Sequence, residues 1–147
     1  MKYDAYVASS WRNNLQPIVV ERLRSAGLDI YDFRNPEPGD HGFHWSDIDP
    51  AWQEWNAARF VKALNHPIAE RGYGLDMEAM QESRSCVLVL PCGRSAHLEA
   101  GWFAGAGRPL YIFQPDDIEP ELMYKMATSI ELGLEPIVQA LLEQREG

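Results

Sequence analysis

The run Cys86-Val87-Leu88-Val89-Leu90 constrains this chain more than any other feature. A strand with one face in water alternates apolar and polar residues. An unbroken apolar run of this length, ended by the turn Pro91-Cys92-Gly93-Arg94-Ser95, reads as a central parallel strand covered on both faces. Parallel neighbours require long crossover connections, and the flanking sequence supplies them. Residues 3–9 are short and β-prone. Residues 14–26 carry Leu15, Ile18, Val19 and Leu23 at helical spacing, closed by Gly27, and residues 28–33 alternate as a second strand. This is a βαβ unit of about 30 residues. Beyond the central run, Ser95 can cap a helix over 96–105, which Gly107 and Pro109 end. A strand over 110–113, a short helix over 120–126, a short strand over 127–131 and a terminal helix over 135–144 follow. The expected class is α/β, with a parallel sheet of about five strands and helices on both faces.

Between the second strand and the central run lies a segment of different character. Residues 34–50 hold three prolines, two glycines, two histidines, Phe43 and Trp45 without a period. A long structureless loop in a small domain is either functional or disordered, and the aromatic content favours a binding loop or lid. Asp49 and Pro50 are suited to N-cap and first helical position, which predicts a helix over 50–65. A second helix is expected over 67–82, with Gly72 and Gly74 as weak points.

With 147 residues, the chain is expected to form a single domain over 1–147. Its net charge of −9 argues against a polynucleotide partner, which calls for Lys and Arg to neutralise phosphates. A pocket for one small anion needs only local donors. No apolar run approaches the roughly 20 residues of a membrane span. Met1-Lys2-Tyr3-Asp4 lacks the apolar core of a signal peptide, so no membrane partner and a cytoplasmic location are expected. Two cysteines, Cys86 and Cys92, make neither a disulfide framework nor a zinc site; no metal and no cofactor are expected.

Ligands of parallel sheets sit beyond the carboxyl ends of the strands, where the turns 9–13, 34 onward and 91–95 should lie. Glu99 falls near the start of the helix after the central strand, where the helix N-terminus favours an ionised carboxylate. Such a group can act as a nucleophile; Glu is also simply a good residue there. Asp76, in Gly74-Leu75-Asp76, either orients a base or shares a proton with Glu99, or is a helix-surface acid. Ser9, Ser10, Arg12, Gly93, Arg94 and Ser95 could hold a phosphate through hydroxyls, backbone N–H groups and Arg forks; helix capping is the other use of the serines. Trp11, Phe43, Trp45 and Tyr6 could stack on a flat base, or form a satellite cluster. His44 and His97 are further acid–base candidates without metal spacing.

Three stretches together resemble the nucleoside 2-deoxyribosyltransferase superfamily: Tyr6-Val7-Ala8-Ser9-Ser10-Trp11-Arg12, Gly74-Leu75-Asp76, and the strand–turn–helix that ends in His97-Leu98-Glu99-Ala100-Gly101. The resemblance spans residues 3–142. It implies a flavodoxin-like (Rossmann-like) fold and cleavage or transfer at the N-glycosidic bond of a nucleoside or nucleoside 5′-monophosphate. Glu99 would attack the anomeric carbon, Asp76 would assist at the leaving base, and Tyr6 would position the glutamate. It implies a homo-oligomer, with Met123 and Tyr124 of Glu121-Leu122-Met123-Tyr124 placed to complete a neighbouring subunit's pocket. Transferase and hydrolase outcomes both remain open. Ser85 departs from the pattern, since some members carry a base-binding Asp there. Two other readings stand beside this one: an NAD glycohydrolase or nucleotide sensor of the distantly similar Toll/interleukin-1 receptor-like type, and a non-catalytic binding domain.

Overall fold

The apolar run forms the central strand of a five-stranded sheet. A computed structural model describes residues 1–147 and divides them into two units, Met1–Asp32 with Ala79–Gly147, and Phe33–Glu78. The first unit holds the sheet: β1 (Tyr3–Ala8), β2 (Ile30–Asp32), β3 (Ser83–Val89), β4 (Leu110–Phe113) and β5 (Ser129–Glu131). Every pairing is parallel and the order is β2-β1-β3-β4-β5. This is the flavodoxin-like order, and its switch point lies between β1 and β3. Tyr6 stands opposite Tyr31 on one side and Cys86 on the other.

The side-chain period of two sends alternate residues to opposite faces. Ala5, Val7, Val87 and Val89 join the main core with Val19, Val20 and Leu23 of α1 (Gln16–Ser25) and Ile137, Val138 and Leu141 of α5 (Glu135–Glu146). The intervening residues, among them Tyr6, Cys86 and Leu88, are equally buried and lie on the face crossed by α4 (Arg94–Gly105), whose Ala96, Ala100 and Phe103 are buried. Double coverage explains why β3 shows no alternation. No helix is long and apolar enough to cross a membrane.

Local chemistry sets where the helices begin. The Asn13 side chain accepts from the Leu15 and Gln16 N–H groups at 2.7 and 3.1 Å, so α1 starts two residues later than its apolar period suggests. The same side chain donates to the Pro91 carbonyl at 3.0 Å and so ties the turn after β1 to the turn after β3. Gly93, not Ser95, is the N-cap of α4; Ser95 lies inside the helix and makes no cap hydrogen bond. Arg108 closes the other end of α4. It donates to the carbonyls of Met80, Gln81 and Ser83, each at 2.9 Å, and stacks on Trp102. The terminal α5 is held by Arg22 on both oxygens of Glu135 and by Arg145 between Asp4 and Asp29.

In the second unit the expected helix over 50–65 is interrupted. Asp49 accepts from the Ala51 N–H at 2.9 Å and the Trp55 indole at 2.8 Å, a local turn that competes with helix. A 3₁₀ turn at Trp52–Glu54 results, and α2 (Ala57–Ala63) starts afresh with Asn56 as its side-chain cap. The helix α3 (Pro67–Gln81) runs through both glycines and ends in the first unit.

Two predictions follow from packing. Leu141 is fully buried between α5 and the sheet; Leu141→Ala should cost about 2–5 kcal/mol, read as a lower denaturation midpoint. In α3 the two glycines should respond differently to alanine. Gly74 faces open space, so Gly74→Ala should gain up to ~1 kcal/mol from helix propensity. At Gly72 a Cβ would stand 3.1 Å from Phe43 Cβ, so Gly72→Ala should lose that gain and shift tryptophan fluorescence.

Candidate active site

Tyr6 has no solvent exposure, and its ring stacks on Tyr31 (5.2 Å, 17°) and leans on Phe103 at 5.9 Å. Aromatic packing on both sides holds the ring in place, and its hydroxyl donates to Glu99 Oε2. The glutamate comes from α4, the helix that follows the central strand. It is half-buried, at the sixth helical position. The expected support from the helix N-terminus is therefore weaker than the sequence suggests, because that field fades beyond the first turn. Tyr6 supplies the carboxylate with a hydrogen-bond donor from a buried ring.

The opposite flank of α4 is also shaped. On a helix, residues two apart lie about 160° around the axis from each other, so Glu99 and His97 face different ways. His97 lines a cavity of about 660 Å³ together with Gly93, Arg94, Gly101, Met123 and Tyr124, over a floor of Leu88, Leu110 and Ile112. The His97 Nδ1–H donates to the Gly93 carbonyl at 2.7 Å, and Nε2 accepts from the Tyr124 hydroxyl at 2.9 Å. The clustering of Cys92, His97 and Tyr124 had no sequence signal beyond the i,i+4 relation of Gly93 and His97.

The expected site residues thus separate into groups. Tyr6 and Glu99 meet. Gly93, Arg94, Met123 and Tyr124 share the cavity on the other flank of α4. Ser9 is buried and its hydroxyl donates to the Val89 carbonyl at 2.9 Å, a bond that ties β1 to β3. Ser10 caps its own turn, accepting from the Arg12 N–H. Trp11, Arg12 and Ser95 are exposed beyond the strand ends. In the second unit Asp76 is half-buried on α3. Phe43 and Trp45 pack edge to face at 4.7 Å, and Trp45 continues to Trp55 and Phe60, so both belong to an aromatic cluster. His44 is exposed beside the His41 carbonyl.

Ser85 lies in the amino half of β3, where its Oγ donates to the Asp4 carbonyl at 2.8 Å. The residue that departs from the family pattern is thus a strand tie, away from the carboxyl-end edge. One polar pair at that edge escaped the sequence reading. Asp32 ends β2, is buried, and accepts from Gln16 Nε2 at 2.9 Å; Gln16 Oε1 is buried without a partner. An acid at the end of the second strand of such a fold is a known ligand-side position, and that rule would have flagged Asp32.

No group of His, Cys, Asp or Glu side chains could hold a metal ion. The two thiols are poor nucleophiles. Burial and the nearby Glu99 charge push Cys92 up to about 12, and burial also raises Cys86 well above its ordinary value. Glu99→Gln removes that charge and should lower the Cys92 value. Alkylation of Cys92 by iodoacetamide at pH 9 should be faster in the variant, with mass spectrometry as the readout. No family model matches the chain, and no curated protein matches it.

Proposed function

We propose that the chain is an enzyme that breaks, or transfers at, the N-glycosidic bond of a nucleoside or nucleoside 5′-monophosphate, with Glu99 as nucleophile. The observation that carries this reading is the Tyr6 hydroxyl on the Glu99 carboxylate, a half-buried acid aimed by a buried donor. The flavodoxin-like strand order and the resemblance to nucleoside 2-deoxyribosyltransferases support it. A carboxylate oxygen forms a bond to the anomeric carbon as the carbon–nitrogen bond breaks, and the electron pair leaves with the base, which takes up a proton. The resulting glycosyl ester is released by a second base, giving transfer, or by water, giving hydrolysis. In this reading Tyr6 holds the carboxylate oxygens in the attacking orientation, and Asp76 serves the leaving base, as the resemblance implies. Arg12 and Arg94, exposed beyond the strand ends, suit a 5′-phosphate. The same reading carries a cytoplasmic site of action and a homo-oligomer in which Met123 and Tyr124 serve a neighbouring pocket.

The test is release of free base, measured by chromatography, from nucleosides, nucleoside monophosphates and NAD supplied separately. Base release from a nucleoside or its monophosphate is expected, without nicotinamide from NAD. Glu99→Gln should lower turnover by at least ~10³-fold, and Tyr6→Phe by about 10- to 100-fold, as for a residue that orients another. Both variants should keep the parent circular dichroism. No release from any substrate at high enzyme concentration, or full activity in Glu99→Gln, overturns the assignment.

A further inference from the structure

The connection from β4 to β5 is a strap with little to hold it. Between Pro115 and Ala127, one hydrogen bond reaches the rest of the protein, that of Tyr124 to His97. Its remaining hydrogen bonds are internal: Tyr124 and Ala127 N–H to carbonyls of the strap, and Met123 N–H to the Glu121 side chain. Its acids Asp116, Asp117 and Glu119 form no ion pair. Beneath it lies the cavity of about 660 Å³, within the range of small-molecule pockets, which combine an apolar lining with a few convergent polar groups.

Arg94, Glu119 and Glu121 line the cavity as well, and among its polar groups His97 has a defined sense. A carbonyl only accepts, so the 2.7 Å approach of His97 Nδ1 to the Gly93 oxygen places the proton on Nδ1. Nε2 of the neutral ring is therefore an acceptor, and it needs a donor. Tyr124 supplies one now, its ring stacked on the imidazole at 5.8 Å and 15°. Burial, with Cys92 and Glu121 nearby, raises the Tyr124 phenol above its ordinary value, so it stays protonated and donating at neutral pH. The Cys92 sulfur, 3.7 Å from Nδ1, adds only a weak contact. Tyr124 thus occupies the position of a ligand: a flat ring parallel to the imidazole, with one O–H on Nε2. Methionines 123 and 126 beside it offer an adaptable wall, and Gly101 leaves the α4 wall open, with no atom within 4 Å of where its Cβ would stand.

We propose that this cavity is a second ligand chamber, which takes a flat aromatic or heteroaromatic ring bearing an N–H or O–H donor, selected by the His97 Nε2 acceptor once Tyr124 yields it. The chamber does not include Glu99, which faces the other flank of α4, but it shares Arg94, Met123 and Tyr124 with the proposed function, so it is tested by binding rather than by turnover.

Indole and 1-methylindole test it, because they share a ring system and differ in the donor. Titrated into the full chain and followed by amide NMR shifts, indole should saturate with shifts at Gly101, Ile112 and Tyr124. The methylated ring should bind at least about tenfold more weakly, the scale of one buried hydrogen bond. Tyr124→Phe leaves the imidazole without its internal donor and should tighten indole several-fold. Gly101→Leu fills the open wall with a residue of better helix propensity and should abolish binding while the helical signal is kept. Equal affinity for the two indoles, shifts absent from the cavity up to the solubility limit of indole, or parent-like binding by Gly101→Leu would each overturn the proposal.

Discussion

The parallel pairing of β1 with β3 is the contact on which the rest of the first unit depends. Five residue pairs run from Tyr3 opposite Ser83 to Ala8 opposite Leu88, and they join segments about eighty residues apart in sequence. The pairing is reinforced at both ends by side chains. Ser85 donates to the Asp4 carbonyl at the amino end, and Ser9 and Asn13 donate to the Val89 and Pro91 carbonyls at the carboxyl end. Backbone bonds in a parallel ladder do not by themselves choose a register. Burial does, since a slip by one residue would send Tyr6 and Cys86 to the face of Ala5 and Val87. With the register set, Tyr6 emerges beneath α4 and its hydroxyl meets Glu99.

That meeting shapes the electrostatics around it. Glu99 contributes to the raised values of both thiols, of which Cys86 is buried in the strand beneath and Cys92 lies in the turn before α4. The sulfurs are kept protonated, in part by their proximity to this carboxylate. On the other side, His97 is oriented by the carbonyl of the helix's own N-cap residue. One helix of twelve residues therefore presents two different polar groups to two different environments. Both are held by partners from elsewhere in the chain, Tyr6 for one and Tyr124 for the other.

The sheet was legible because its signals are short-range. The unbroken apolar run at 86–90, the helical period before Gly27 and the Gly107–Pro109 end of α4 each report on residues within one element. Boundaries were less legible where a side chain competes with the backbone. Asp49 reads as a helix cap and does bind the next turn, but the Trp55 indole claims its other oxygen, and the helix begins again at Asn56. Ser95 reads as a cap because it follows a turn, yet Gly93 takes that place. Among the candidate residues, Tyr6 and Glu99 were singled out by the patterns around them, and the hydrogen bond between them was implied by the resemblance alone. Ser9 was read as a ligand group, whereas its hydroxyl bridges two strands, a use that no local pattern reveals.

The sequence by itself determined the class of fold, a parallel α/β sheet entered through β1 and centred on β3, together with the chemical character of the groups at its carboxyl edge. Period, run length and turn residues encode burial locally, so these can be read without coordinates. Only the tertiary structure decided which groups meet. It bonded Tyr6 to Glu99, set His97 against Tyr124 on the reverse flank of the same helix, placed Asp32 on Gln16 below the end of β2, and gathered Phe43 and Trp45 with Trp55 in an aromatic cluster. The physical reason is that such contacts depend on strand register and on the rotation of a helix about its axis. Packing across the whole unit sets both, and no window of neighbouring residues contains them.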